Sequence, residues 1–484
     1  MISNQPETGD SKMSEPIPWT TEELLYATRG KLISGDKTRF FKGVSIDSRR
    51  ISKEDLFVAI KGQVHDGHSY VRDAAALGVG GFIVEKRDAV INWINTLEKS
   101  PPVCIVVEDT EKALKDLSVF QRERSRVSLI AITGSNGKTS TKDMTARVLE
   151  QQFKTLSTTG NLNNEIGVPL TLLKLSRRHE WAVLELGMNN PGEIGRLTHI
   201  CKPDIGIITN IGPAHLEGLG SLEGVMHAKG ELIDNMRPDA TAILNADDPL
   251  VLRLAEKKGE RVLLFGVSAN ADIRASKISL LGSRVSFLLE LPNGSIDICL
   301  NNPGRFMVSN ALAAAGAGYF IGLSPEKIKQ GLESFQPIRG RMNVIDTPKG
   351  IHIIDDTYNA NPVSMEAAIH TLASLKSKNR GILVAGDMFE LGKDSEIQHA
   401  GIGELAGKTK TEKIYATGKY ARDIQKGALA EGMNANDIFI GSKEEIVEDL
   451  KKNAISGDWI LVKGSRAMGM ETIVQRLKEW SNDL

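Results

Sequence analysis

A run of small residues followed by a lysine and a threonine has the residue types and the spacing of a phosphate-binding loop: Thr133-Gly134-Ser135-Asn136-Gly137-Lys138-Thr139. Small residues let backbone N–H groups close around phosphate oxygens, and the start of the following helix adds partial positive charge. Lys138 would place its charge on the β- and γ-phosphates, and the Thr139 hydroxyl would bind Mg²⁺. Ile132 stands where the longer form of this motif has its first glycine, and the alternative is a chance Gly-Lys-Thr in a surface turn. The apolar run before the loop favours ATP binding by the residues from Gly134 to Ser140.

Three side chains further along the chain could complete a metal site. Glu185 interrupts the apolar run 181–186, and a buried strand rarely tolerates a carboxylate without a partner, so we favour a Mg²⁺ ligand over a solvated glutamate of an edge strand. His215 follows another strand-like run, which places it at the ligand-binding edge of a sheet. An isolated histidine is nevertheless a structural or surface residue more often than not. Lys229 alone is typical of a solvated helix lysine.

The elements that must position these residues follow an α/β rhythm, since buried strands alternate with helical stretches and so predict parallel sheets. Strand candidates in the middle and last parts of the chain are 127–132, 181–186, 205–209, 241–244, 262–265, 352–354, 382–385, 413–416, 438–440 and 459–462. In 270–300, apolar residues occur at alternating positions and are interrupted by Gly-Ser and Pro-Asn-Gly turns. This pattern predicts an antiparallel hairpin. The first part contains shorter strand-like runs at 56–60, 81–84 and 103–107.

Length and composition set the outer limits. A chain of 484 residues is long enough for about three domains. We predict a flexible tail at 1–16 and domains at 17–122, 123–335 and 336–484. Lys and Arg total 60 against 61 Asp and Glu, so no overall basic field favours nucleic acid or an anionic membrane. The polar start, the absence of an apolar run of about 18 residues and three scattered cysteines favour a cytoplasmic protein.

Several motifs together resemble the Mur ligase family, the cytoplasmic ATP-dependent enzymes that form amide bonds in peptidoglycan synthesis. They are the phosphate loop, Glu185, the stretch Thr209–His215 and Lys229. The resemblance implies an α/β fold in three domains: a small α/β uridine-nucleotide domain, a central P-loop ATPase domain with a parallel sheet, and a C-terminal Rossmann-like domain. It also implies an acyl-phosphate route, in which a substrate carboxylate attacks the γ-phosphate and an amine then displaces phosphate.

The resemblance assigns roles that the residues alone do not. It implies that Lys229 is carbamylated, and that with Thr139, Glu185 and His215 it holds two Mg²⁺ ions. It implies that Asn310 contacts the nucleotide and that Arg341 faces the phosphates from the third domain. It further implies that a loop faces the muramoyl-peptide substrate through Thr159, Asn161, Asn163 and Asn164. One departure is Phe306-Met307, where many members have His-Asn.

The last third of the chain resembles the member of the family that joins D-alanyl-D-alanine to a UDP-linked muramoyl-tripeptide. The residues that carry this likeness are Asp355–Pro362, Gly386–Gly392 and Lys463–Arg466. The likeness implies a dipeptide pocket lined by Asp356, Tyr358, Asn359 and Asn361, and a uridine-nucleotide site that includes Ser48 and Arg49. For Asn359–Pro362 the alternative is an ordinary helix-capping turn, since Asn before Pro starts helices well. The expected partners are these small substrates, with the protein acting as a monomer.

Rival functions make distinct predictions. A folate polyglutamate synthetase or the tripeptide-forming ligase of the same superfamily would lack the Tyr358–Pro362 motif or the uridine-nucleotide residues at Ser48 and Arg49. A switch or motor ATPase would turn over without an amine acceptor and would have no use for Lys229. An inactive relative that keeps the fold would not need Lys138 and Glu185.

Overall fold

The computed structural model describes residues 15–62, 64–97 and 101–483. Of the predicted tail at 1–16, only Glu15 and Pro16 fall within the described residues. No helix in these ranges combines the length and the apolar character that a bilayer crossing requires.

Helices and strands alternate along most of the chain. Up to residue 125 the elements are β1 (Trp19–Thr20), α1 (Thr21–Thr28), β2 (Lys31–Ser34), β3 (Phe40–Phe41), β4 (Gly43–Ser45), β5 (Asp55–Val58), α2 (Val71–Ala76), β6 (Gly81–Glu85), α3 (Asp88–Asn95), β7 (Val103–Val107) and α4 (Thr110–Ser125). Then follow β8 (Ser128–Thr133), α5 (Lys138–Glu150), β9 (Thr155–Ser157), α6 (Gly167–Leu172), β10 (Trp181–Glu185), α7 (Glu193–Cys201), β11 (Ile205–Ile208), α8 (Leu216–Leu219), α9 (Leu222–Asn235), β12 (Thr241–Asn245), α10 (Pro249–Ala255), β13 (Val262–Gly266), β14 (Ile273–Leu281), β15 (Arg284–Leu291), β16 (Gly294–Leu300), α11 (Phe306–Ile321) and α12 (Pro325–Glu333). The last part contains β17 (Asn343–Asp346), β18 (His352–Asp356), α13 (Pro362–Lys376), β19 (Gly381–Ala385), α14 (Ser395–Lys408), β20 (Lys413–Ala416), α15 (Ala421–Ala430), β21 (Ile438–Ile440), α16 (Lys443–Asn453), β22 (Trp459–Lys463) and α17 (Glu471–Asn482).

The described residues divide into two compact units. The first comprises the chain up to Leu129 together with Lys154–Ala182 and His199–Lys202. Its main sheet has the strand order β2-β7-β6-β5-β4, parallel except for β2, and β1 pairs separately with β3. One buried cluster includes Leu24, Ile83 and Leu117, and a second includes Phe57, Phe82 and Ile94.

The second unit contains Ile130–Phe153, Val183–Thr198 and everything from Pro203 onward. Its first sheet has the order β16-β15-β14-β13-β12-β11-β8-β10. The registers of β8, β11, β12, β13 and β14 are parallel, as expected of continuous apolar strands that are buried on both faces.

The antiparallel pairing predicted for 270–300 is confirmed, but the segment forms three strands, β14, β15 and β16, where one hairpin was expected. Two-residue connections join them, at 282–283 and 292–293. The last strand shows a weak apolar pattern because three of its seven residues, Gly294, Ser295 and Asp297, are exposed. Its hydrophobic pattern is therefore weak, and a single hairpin was the simpler interpretation of the sequence.

The second sheet of this unit has the order β17-β18-β22-β19-β20-β21 and is parallel except for β17. Successive residues of its strands face opposite clusters: Ile354 and Leu383 belong to one, and Ile353 and Val384 to the other. Helices therefore cover both faces, as in a doubly wound α/β fold. The loops that follow β18, β19 and β22 leave the carboxyl edge of neighbouring strands, which is where such folds bind ligands.

Candidate functional site

The phosphate loop joins β8 to α5, as the sequence predicts, and two of its glycines are required by geometry. Gly134 has φ 148° and Gly137 has φ 81°, in the left-handed region that other residues rarely adopt. A Cβ on Gly134 would lie 1.9 Å from Thr209 Oγ1, and one on Gly137 would lie 2.2 Å from Asn310 Oδ1. Both positions therefore require glycine.

The end of β11 braces this loop from below. The Ser135 N–H donates to Asn210 O and the Asn136 N–H to Asn210 Oδ1, each at 2.9 Å. Thr209 Oγ1 donates in turn to Asn136 O at 2.6 Å. The backbone N–H groups of Ser135 and Asn136, two residues predicted to bind phosphate, therefore already donate hydrogen bonds within the protein. The N–H groups without intrahelical acceptors are those of the first turn of α5, from Lys138 to Ser140, which can receive phosphate oxygens.

Lys138 turns back over the loop that carries it. Its Nζ donates to Gly134 O at 2.7 Å and to Ser135 O at 3.3 Å. Desolvation lowers the pKa of Lys138, the Glu185 carboxylate opposes this, and the Arg341 guanidinium adds to it. The field of Arg341 therefore reaches the loop lysine, so two cations surround the place where phosphates would bind.

Thr139 and Glu185, two of the predicted metal ligands, are in direct contact. Thr139 Oγ1 donates to Glu185 Oε2 at 2.8 Å. Glu185 ends β10 next to β8 and is only 3% exposed, so the alternative of a solvated edge-strand glutamate is wrong. Hydroxyl and carboxylate oxygens at the start of a helix are ligands that suit Mg²⁺. In the described ranges no three His, Cys, Asp or Glu side chains form a ready-made metal cluster.

Lys229 lies inside the protein on α9, so its interpretation as a solvated helix lysine is wrong. Its side chain is among the largest that are fully buried, with 1% exposure. Desolvation, with a smaller contribution from Lys138, lowers the pKa of Lys229 far below its ordinary value. No acidic side chain offsets this shift among the described residues. Burial therefore favours the neutral amine, which is the nucleophilic form.

His215 is oriented by a residue that the sequence reasoning left without a role, Glu390. His215 Nδ1 lies 2.6 Å from Glu390 Oε2, and this contact lowers the pKa of the Glu390 carboxyl. The Glu217 N–H donates to Glu390 O at 3.2 Å. Both His215 and Glu390 have positive φ, 56° and 64°, a strained conformation that often marks functional turns. The sequence feature that pointed to this contact is Glu390 itself, an acidic residue within the Gly386–Gly392 motif.

Asn310 lies beneath the phosphate loop and is engaged by protein groups. Its Oδ1 accepts a hydrogen bond from Thr141 Oγ1 at 3.3 Å, and its Nδ2 contacts Met307 Sδ at 3.6 Å. The side chain is 4% exposed. Phe306, beside it in sequence, packs against the C-terminal core. Met307 thus takes a contact of the Asn310 amide, and Asn310 supports the loop at Gly137.

The predicted dipeptide residues divide into an inner and an outer pair. Asp356 faces inward: its Oδ1 accepts from the Met342 N–H at 3.0 Å, and its Oδ2 from Lys463 Nζ. Asn361 is the N-cap of α13 with a full capping box, so the helix-capping interpretation is confirmed. Its Nδ2 also donates to Asn136 Oδ1 at 2.8 Å. This bond joins the segment Asp356–Asn361, in which we predict the dipeptide site and which we call the dipeptide segment, to the phosphate loop.

The outer pair, Tyr358 and Asn359, is accessible to ligands. Tyr358 is half-buried and Asn359 exposed. The Arg341 guanidinium carbon lies 4.1 Å from the centre of the Tyr358 ring, a cation–π contact that orients the arginine. Lys463, which the sequence reasoning did not assign, donates to Asn359 O at 2.9 Å and holds this turn from below.

The predicted uridine-nucleotide and muramoyl-peptide residues belong to the first unit. Arg49 forms two bonds of 2.9 Å with the Asp47 carboxylate, next to Ser48 in a short 3₁₀ turn, and this pairing lowers the pKa of Asp47 to about 2. In the second loop, Asn164 Oδ1 accepts from the Gly167 N–H at 2.8 Å and so shapes the start of α6. The other predicted residues of that loop are exposed, or half-buried in one case: Thr159, Asn161 and Asn163.

Comparison with protein-family models gives three matches. Residues 41–122 match the model described as the Mur ligase family, catalytic domain. Residues 132–318 match the Mur ligase middle domain. Residues 340–466 match the model described as Mur ligase, glutamate ligase domain.

Full-length relatives agree with these matches. The UDP-N-acetylmuramoyl-tripeptide–D-alanyl-D-alanine ligase of Escherichia coli strain K12 is 37% identical over 470 residues, covering 96% of this chain and 99% of that protein. A crystal structure of MurF from Acinetobacter baumannii superimposes with a TM-score of 0.86 at 34% identity, covering 96% and 100% of the two chains. MurF ligase from Thermotoga maritima, in complex with ADP, gives 0.78 at 27% identity and covers 90% and 97%.

Proposed function

This chain belongs to the Mur ligase family, and from that membership we propose that it ligates D-alanyl-D-alanine to UDP-N-acetylmuramoyl-tripeptide with ATP. The products are UDP-N-acetylmuramoyl-pentapeptide, ADP and phosphate, in peptidoglycan synthesis. The observation that carries the proposal is the 2.8 Å bond from Asn361 Nδ2 to Asn136 Oδ1. This bond holds the segment to which we assign the dipeptide against the phosphate loop. An enzyme needs this proximity when the dipeptide attacks the group that ATP has activated.

The reaction follows from the difficulty of joining a carboxylate to an amine in water. The terminal carboxylate of the tripeptide attacks the γ-phosphorus, which forms an acyl-phosphate and releases ADP. The free amine of the dipeptide then attacks the acyl carbon, phosphate leaves, and the nitrogen loses a proton. Two anions must meet in the first step, so we assign to Lys138 and Arg341 the stabilisation of charge on the transferring oxygens.

Mg²⁺ is part of the proposal, and the donor set supports it. Thr139 and Glu185 supply hard oxygen atoms for a first ion, and we assign His215, with Lys229, to a second. When bound, these ions neutralise charge on the β- and γ-phosphates. An uncharged amine is a poor ligand for Mg²⁺, so Lys229 fits this site only after it is modified.

We assign that modification to carbamylation. Burial lowers the pKa of the Lys229 amine and so favours its neutral form. A neutral amine attacks the carbon of CO₂ and loses a proton to give a carbamate anion. Lys229→Ala should then abolish ligation, and short-chain carboxylates should restore part of it. An alanine variant that stays active, or that acetate and formate do not rescue, contradicts this assignment. A carbonyl signal from ¹³C-bicarbonate that is lost in Lys229→Ala gives a readout independent of activity.

The remaining assignments complete the picture. We place the UDP-substrate domain at 17–122 with contacts from Ser48 and Arg49, the ATP domain at 123–335, and the dipeptide domain at 336–484. We assign Thr159, Asn161, Asn163 and Asn164 to the muramoyl-peptide. The enzyme would act as a cytoplasmic monomer on small molecules and not on nucleic acid. Light scattering of the purified protein tests the oligomeric state.

One assay tests the central proposal. Phosphate release from ATP is measured with UDP-N-acetylmuramoyl-tripeptide and D-alanyl-D-alanine present, and then with each omitted in turn. We expect release to require both, with one pentapeptide product formed per phosphate. Release that ignores the dipeptide would favour a simple ATPase, and release supported by glutamate or a diamino acid would favour another ligase of the superfamily.

A further inference from the structure

The guanidinium of Arg466 lies beside the proposed dipeptide segment and has no part in the function described so far. Its carbon is 5.6 Å from the centre of the Tyr358 ring, the same ring that Arg341 contacts at 4.1 Å. The Arg466 N–H also donates to Asn359 Oδ1 at 3.4 Å. Two cations therefore share one aromatic side chain, and one of them, Arg341, extends toward the phosphate loop.

The backbone that carries Arg466 is well anchored. The strand before it ends at Lys463, whose Nζ donates to Asp356 Oδ2 and, at 2.9 Å, to Asn359 O. Ser465 Oγ accepts from the Phe389 N–H at 2.8 Å. The turn after β22 is thus tied to the turns after β18 and β19. The backbone at Arg466 is therefore held in place, while its side chain remains open to solvent.

Of the two cationic residues in the Lys463–Arg466 turn, Arg466 is the one that can accept an anionic ligand. Lys463 is 2% exposed and is neutralised by Asp356, so it cannot reach a substrate. Arg466 is paired with Glu471 at 3.3 Å, but the side chains are 64% and 35% exposed. An ion pair this open to solvent stabilises little, and a substrate carboxylate can replace it.

We propose that Arg466 binds the C-terminal carboxylate of the incoming dipeptide; this inference rests on the proposed function. An extended dipeptide spans about 7 Å, which suits a ligand whose amine lies on the Arg341 side of Tyr358 and whose carboxylate reaches Arg466. The planar guanidinium pairs with a carboxylate through two parallel hydrogen bonds. This subsite selects acceptors with a free carboxylate, and it sets the distance from that carboxylate to the attacking amine.

The first measurement separates dipeptide binding from the rest of the reaction. With Arg466→Gln we expect the KM for D-alanyl-D-alanine to rise about 10- to 100-fold, the loss of a charge-assisted pair. The KM values for ATP and for the UDP-linked tripeptide should not change. Arg466→Lys keeps the positive charge but lacks the planar pair of donors, so its KM for D-alanyl-D-alanine should lie between those of the unmodified enzyme and of Arg466→Gln. Arg422→Gln, on the exposed side of α15, is the matched control and should behave as the unmodified enzyme.

The second measurement changes the ligand. The unmodified enzyme should prefer D-alanyl-D-alanine over its C-terminal amide by a factor similar to the change in KM, and Arg466→Gln should lose that preference. A purely structural role for Arg466 would slow both acceptors equally and keep the preference, which overturns the inference. If the unmodified enzyme shows no dipeptide-dependent phosphate release at all, the proposed function itself fails. Equal thermal unfolding midpoints of the variants exclude misfolding as the cause.

Discussion

The phosphate loop and the dipeptide segment are the two ends of the proposed site, and they are built in different ways. At the loop, positive φ angles and close backbone approaches leave room for glycine alone at Gly134 and Gly137, and the binding groups are backbone amides. At the dipeptide segment, side chains hold one another: Asp356 holds Lys463, and Asn361 caps its own helix. A site made of backbone is complete before the ligand arrives. Where side chains form the site, most of them bond to one another and only a few remain to bind the ligand.

The largest expected effect lies at the loop. Lys138→Met should lower kcat for ATP-dependent ligation by about 10²- to 10³-fold, as removal of a pre-positioned charge does elsewhere. Because desolvation lowers the pKa of Lys138, loss of its charge should not reduce stability. Ligation rate and thermal unfolding midpoint are measured together. A large drop in the midpoint would mean that the lysine mainly supports the fold.

Next in size is the contact between His215 and Glu390. Glu390→Gln removes the charge that faces His215, and support of this kind changes metal affinity or activity by about 10- to 100-fold. The Mg²⁺ concentration that gives half-maximal ligation should rise accordingly. Glu396→Gln, exposed on the next helix, is the control. An unchanged Mg²⁺ requirement in Glu390→Gln would remove Glu390 from the metal site.

The third prediction tests the backbone of the loop. Gly137→Ala should cost about 1–3 kcal/mol of unfolding free energy, because its Cβ needs the space of Asn310 Oδ1 and its φ is unfavourable. In an Asn310→Ala background the cost should fall, since only the φ strain remains. Denaturant unfolding of the four proteins in this cycle provides the test. Equal costs in both backgrounds would show that the close approach contributes nothing.

The smallest effect belongs to the dipeptide segment. Asn361→Ala removes a helix cap, which costs about 1 kcal/mol, and with it the bond to Asn136, which contributes about the same again. Ser442→Ala removes the capping box of α16 and is the control for capping alone. Thermal unfolding should show a larger loss for Asn361→Ala than for Ser442→Ala. In a double-mutant cycle, the coupling free energy between Asn361→Ala and Asn136→Ala should account for the larger loss of stability in Asn361→Ala than in Ser442→Ala.

Much of the site could be predicted from the sequence because its signals are local. The apolar run before Gly134 forms a buried strand, the helix begins at Lys138, and Glu185 ends the neighbouring strand. The N-cap at Asn361 followed from the Asn-Pro pair. Each of these depends on a few adjacent residues whose backbone preferences agree. The third strand at Gly294–Leu300 was missed because its pattern is half polar.

The sequence by itself determined the strand–loop–helix unit, the alternation of strands and helices, and the residue types at the phosphate end. Tertiary structure alone decided that Lys229 is buried, that Asp356 faces Lys463, and that Glu390 meets His215. The physical reason is distance along the chain. Burial and pairing of charges depend on which remote segments the sheets bring together, and no local pattern contains that information.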